Sequence, residues 1–180
     1  MCVVETRKAV VTGLIGACAG FGFGVDAQRQ RASPRDKVSA KVDGASITID
    51  YSRPYAKGRT IFGKDGLVPF GKVWRTGADE ATTLTTDATL VFGALTVPAG
   101  TYTLYTVPNQ KEWLLVVNRQ TGQWGTVYNE AQDVGRVPMT LAKVDPVEQF
   151  QVSVEDTAAG GAIQMKWETT QAVATFVVKK

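Results

Sequence analysis

The sequence predicts a single all-β domain: an antiparallel β-sandwich, jelly-roll or immunoglobulin-like, of about nine to eleven strands with long loops at one end. Three observations carry that prediction. Apolar residues alternate with period two in short runs spaced about ten residues apart. The 3.6-residue spacing of amphipathic helices is missing. A length of 180 residues suits one domain that can bury its own core.

Taken in order, the β pattern begins at Lys37. Residues 45–51 alternate and place Ile47, Ile49 and Tyr51 on one face. Residues 81–86 and 88–92 are rich in Thr and β-branched side chains, which fit a pleated surface. Within residues 95–104, LTVPAGTYTL, Pro98 and Gly100 punctuate two short strands, with the Tyr102 ring packing at a strand start. This corner reads as architecture. Residues 101–107 and 112–118 pair as a hairpin across Pro108-Asn109-Gln110-Lys111. Residues 147–154 bring Phe150, Val152 and Val154 into register, and residues 162–168 do the same for Ile163, Met165 and Trp167. Residues 171–178 close the fold, and one short helical turn fits residues 126–132.

Residues 51–83, YSRPYAKGRTIFGKDGLVPFGKVWRTGADEATT, do not read as strands. Five glycines between Gly58 and Gly77, with Pro54 and Pro69, shape a long loop. Arg53, Arg59, Trp74 and Arg75 stand within it. Arginine presents a planar fork suited to carboxylate or phosphate, and tryptophan a flat face for a sugar ring. From Ser52 to Glu80 six basic residues face three acids. That excess fits an anion-facing surface as well as a solvated loop, and the arginines are equally suited to stapling loop carbonyls.

These residues resemble a family of bacterial exported proteins, domain of unknown function 2911. The matching pattern is Tyr51-Ser52-Arg53-Pro54, Gly58-Arg59, Ile61-Phe62-Gly63, Val68-Pro69, then Gly71 through Ala78 (GKVWRTGA) and Pro98 through Tyr102 (PAGTY). Downstream the resemblance extends to Trp124-Gly125, Tyr128 and Asp133-Val134-Gly135-Arg136, and it covers residues 33–180. Asp133 and Arg136 stand ready to ion-pair with the first loop and hold it shut. One departure shows: Asp79 stands where the family commonly has an amide, next to Glu80. Adjacent carboxylates raise a calcium or acid–base reading. The resemblance implies export but no assigned activity.

The absence of histidine excludes more than any residue present suggests. It removes Ser-His-Asp and Cys-His catalysis and imidazole zinc sites. The two cysteines, Cys2 and Cys18, both lie in the N-terminal segment, so a processed domain would have no thiol chemistry. No cofactor or metal site is expected. A net charge of +3 without a polybasic run argues against nucleic acid as partner.

The N-terminal segment reads as an export signal over residues 1–27, followed by a lead-in over 28–35 and the domain over 36–180. Arg7 and Lys8 precede an uncharged apolar run, AVVTGLIGACAGFGFGV. Val25-Asp26-Ala27 offers the small residues of an ordinary signal-peptidase cut after Ala27. Leu14-Ile15-Gly16-Ala17-Cys18 instead resembles a lipobox, ending the signal at residue 17 with Cys18 acylated. The first alternative gives a periplasmic or secreted protein, the second an outer-membrane lipoprotein.

The functional expectation is an exported binding or scaffold module for a small anionic or glycan ligand. Its candidate surface is Arg53, Arg59, Trp74, Arg75, Glu80, Trp124, Tyr128, Asp133 and Arg136. The alternative is a cell-envelope hydrolase using carboxylates, with Glu80 or Asp133 as acid or base.

Overall fold

Tyr51 ends the alternating run Ile47, Ile49, Tyr51, and all three are buried. The computed structural model, which describes residues 31–179, shows what they are buried against. Strands β1 (Arg35–Val42) and β2 (Ala45–Ser52) form a hairpin around Asp43 and Gly44. Both turn residues have positive φ, 49° and 88°, the two-residue geometry that matches strand twist. After the long loop come β3 (Thr82–Thr86), β4 (Thr89–Phe92), β5 (Leu95–Val97), β6 (Gly100–Val107) and β7 (Trp113–Asn118). A 3₁₀ turn at Glu130–Gln132 leads into β8 (Asp133–Thr157) and β9 (Gly160–Lys179).

The fold is all-β and antiparallel, as predicted. The nine strands form one continuous sheet in the order β1-β2-β3-β6-β7-β8-β9-β4-β5. Its two longest strands give it curvature. The β8–β9 register shifts between Lys143 and Val147 and again between Val147 and Gln151, irregularities that bend a strand. The first part of β8 can therefore pair with β7 while its middle meets the end of β2. There Phe150 N donates to Pro54 O at 2.9 Å and Ala56 N to Glu148 O at 2.7 Å. The Tyr51 hydroxyl accepts from Val152 N at 3.0 Å, and its ring meets Phe150 edge-on at 5.8 Å. The sheet thus rolls back upon itself through residues 54–56.

Inside the roll sits an aromatic cluster of Phe62, Trp74, Trp113, Phe150 and Trp167. Trp74 stacks on Trp167 at 5.7 Å with an interplanar angle of 18°. Phe62 packs edge-on against Trp113 at 4.6 Å. Each such pair contributes about 0.5–1.5 kcal/mol beyond burial. The cluster fastens the long loop, because Phe62 and Trp74 belong to it. Trp74 also exchanges backbone hydrogen bonds with Thr106 of β6, at 2.7 and 3.0 Å. Ile61 and Val68 plug the same core at 0% and 3% exposure. Residues 53–81 are therefore a built wall of the domain.

The Tyr102 corner is architectural. Its hydroxyl donates to Pro98 O at 3.0 Å, and the ring lies under Gly100, where a Cβ would come within 3.4 Å of it.

Candidate functional site

The segment from Trp74 to Glu80 is held in a conformation few residues favour. Thr76 and Asp79 have φ of 54° and 55°, and Gly77 has 149°. Thr82 Oγ1 fixes it by donating to Thr76 O at 2.7 Å, and Thr76 Oγ1 donates to Thr106 Oγ1 at 3.2 Å. A Cβ at Gly77 would stand 2.8 Å from Ser52 O, so only glycine fits. Left-handed backbone at non-glycine residues costs about 1 kcal/mol or more, and such strain concentrates where function needs it.

This turn displays Trp74, Arg75 and Asp79 along a cleft of about 510 Å³. Its other walls come from residues 54–59, from residues 125–128 and from Tyr105 and Trp167. The backbone is pinned across the floor, where Gly125 N donates to Asp79 O at 2.9 Å. Gly125 must stay small here: a Cβ would lie 2.7 Å from Asp79 O and 2.8 Å from Arg75 Cδ.

The charged side chains lining the cleft are Lys57, Arg59, Arg75 and Asp79, three cations against one acid. Arg75 is half-buried, and its one hydrogen bond among the described residues is a long one, from Nε to Gly77 O at 3.4 Å. No carboxylate of the described residues pairs with it, and its terminal nitrogens have no partner there. Arg59 donates Nε to Ala56 O at 2.9 Å and Nη2 to Tyr55 O at 2.6 Å, again without a carboxylate partner. Four other arginines behave differently. Arg31, Arg35, Arg53 and Arg136 each hold an ion pair.

Three of the aromatic side chains at the cleft, Tyr105, Tyr128 and Trp167, have spent their polar groups. Tyr105 donates its hydroxyl to Val127 O at 2.7 Å and accepts from Gln123 Nε2 at 3.1 Å. Tyr128 donates to Asp133 Oδ2 at 2.6 Å and accepts from Arg136 Nη2 at 3.0 Å. Trp167 Nε1 donates to Glu148 O at 3.3 Å. Burial, then the adjacent Asp133 carboxylate, push the Tyr128 phenol up to about 12. Burial raises Tyr105 as well. Both stay neutral at ordinary pH and contribute ring surface.

Of the sequence-predicted residues, Arg59, Trp74, Arg75 and Tyr128 come together at this cleft. Arg53 does not line it. Its Nη1 pairs with Asp36 Oδ2 at 3.1 Å and its Nε donates to Phe150 O at 3.2 Å, tying β2 to β1 and β8. Glu80 is held by Arg31 at 2.7 Å and Arg35 at 3.3 Å. Its own backbone N–H and Arg31 keep its carboxyl below the usual range. Trp124 is half exposed and bridges to Glu80 through the backbone. Asp133 and Arg136 do not ion-pair with the first loop. Arg136 bonds Glu130 and Asp133, and Asp133 Oδ1 takes Asn118 Nδ2 at 2.8 Å. They act on the cleft only through the Tyr128 hydroxyl. Asp79 and Glu80 are adjacent in sequence but serve different surroundings, and among the described residues no three metal-ligating side chains gather. Cys18 lies outside the described residues.

Tyr55, Lys57, Asp79, Tyr105 and Trp167 also line the cleft without having been counted in the candidate surface. Period-two alternation assigned Trp167 to the core face. Nothing local distinguishes Tyr105 from its strand neighbours.

Residues 33–176 match the model of the family described as Protein of unknown function (DUF2911), and the chain belongs to that family. No curated protein matches the chain. No solved structure matches it either.

Proposed function

We propose that this DUF2911 protein is an exported, non-catalytic binding domain whose cleft takes a small anion with a ring or other apolar body. One observation carries the reading: Arg75 is half-buried in an aromatic-walled cleft, and no carboxylate among the described residues neutralises it. A half-buried guanidinium whose terminal nitrogens have no partner among the described residues is a ready seat for a counter-charge. Arg59 and Lys57 add to the positive field, which Asp79 offsets only in part.

A carboxylate hydrolase has less support. Glycoside hydrolysis needs two carboxyl groups flanking one bond, and among the described residues Asp79 alone lines the cleft. Glu80 is engaged with arginines, and Asp133 with Asn118, Tyr128 and Arg136.

Export rests on residues 1–27, which lie outside the described residues. Cutting after Ala27 or before Cys18 leaves Arg31 and Ser33 with the domain, where they meet Glu80 and the cleft. Intact mass of the protein from its native cell tests this. A chain starting at Gln28 without lipid is expected, an acylated chain starting at Cys18 is the lipoprotein, and an uncleaved chain contradicts export. Binding is tested by thermal shift with phosphate, sulfate and ring-bearing carboxylates. Stabilisation by at least one of them is expected in the wild type and not in Arg75→Ala; none in either refutes the reading.

A further inference from the structure

Among small anions, the cleft's own chemistry distinguishes classes. We infer that the ligand is a carboxylated sugar ring, a uronic-acid type of molecule. Its carboxylate sits on the Arg75 fork, its hydroxyls on Asp79 and its C–H face on the aromatic wall. This rests on the anion-binding reading above and narrows it.

Three features converge. The Arg75 terminal nitrogens are unengaged among the described residues, which leaves the planar pair that matches a carboxylate. Asp79 lines the same cleft; its backbone carbonyl takes Gly125 N, but its side-chain carboxylate accepts no hydrogen bond and forms no ion pair among the described residues. A carboxylate accepts but cannot donate, so a ligand that fits must bring donors as well as negative charge. The polar atoms of Tyr105, Tyr128 and Trp167 are committed elsewhere. They offer carbon surface, on which the C–H groups of a pyranose pack.

The competing classes each leave a feature unused. An aryl carboxylate has no donor for Asp79. An amino acid brings an ammonium group for Asp79, but it adds a cation to a cleft already lined by Lys57, Arg59 and Arg75. A uronate satisfies Asp79 with neutral hydroxyls and lowers the positive charge.

Calorimetric titration of D-glucuronate, D-glucose, benzoate and phenylalanine into the full domain tests the inference. Glucuronate is expected to bind at least tenfold tighter than each of the others. Arg75→Gln should weaken it at least tenfold. Asp79→Gly, which suits the positive φ at that position, should weaken glucuronate severalfold while leaving benzoate unchanged or tighter. Benzoate or phenylalanine binding as tightly as glucuronate overturns the sugar-acid assignment and leaves the anion cleft standing. No binding by any of the three acids overturns both. An Asp79→Gly variant that holds glucuronate as tightly as the wild type also overturns the assignment.

Discussion

The Tyr128 hydroxyl donates to Asp133 Oδ2 at 2.6 Å, and the carboxylate it reaches is held from its other oxygen by Asn118 of β7. One wall of the cleft is therefore positioned by a chain of hydrogen bonds reaching into the sheet. Burial first, and then the same bond, make Tyr128 hard to ionise.

Folding stability should accordingly fall at high pH. The free phenol ionises at 10.0 and the folded one at about 12. A raised folded value means that the stabilisation is complete below pH 10 and is lost as pH rises towards 12. Tyr51 and Tyr105, also raised by burial, act in the same direction. Urea melts across this window should show the decline, and Tyr128→Phe should make it shallower. An unchanged slope in that variant contradicts the assignment.

Arg53→Ala separates scaffold from site. It removes the ion pair with Asp36 and the bond to Phe150 O, at a cost of about 1–3 kcal/mol. Ligand affinity should be unchanged because Arg53 does not line the cleft. Chemical denaturation and titration of the same variant read the two effects apart.

At Gly77 an alanine would combine a strained φ with a Cβ 2.8 Å from Ser52 O. A loss of about 3 kcal/mol is expected, measured as a lower denaturation midpoint. A neutral result would show that the turn is far softer than its geometry implies.

Gly125→Ala should act on binding through the cleft floor, since its methyl group meets both Asp79 O and the Arg75 side chain. Anion affinity should drop at least tenfold, with a destabilisation of about 1–3 kcal/mol. Retention of wild-type affinity would mean that Arg75 need not hold its observed place.

Much of the fold was legible because strand periodicity is a local signal. The residue 101–107 and 112–118 hairpin appears as β6 and β7 within a residue or two, and the predicted helical turn contains the 3₁₀ turn at Glu130–Gln132. The full length of β8 was not legible. Residues 135–147 include Gly135, Pro138 and Pro146, which do not suit a strand, yet residues 135–139 pair with β7 and residues 140–143 with β9. The cleft was legible in part. Arg75 and Trp74 stand out by type within a glycine-rich loop. Lys57 stands in the same loop but is one of three lysines there, and Tyr105 and Trp167 join through pairing and stacking with the distant Trp74 segment, which no short window reveals.

The most direct test of the central claim is calorimetric titration of ring-bearing carboxylates into wild type and Arg75→Gln, with thermal melts confirming that both are folded. At least one should bind the wild type, and at least tenfold more weakly when the guanidinium is gone. Equal affinity in the two proteins, or no binding to the wild type, would contradict the assignment of this cleft as an anion site.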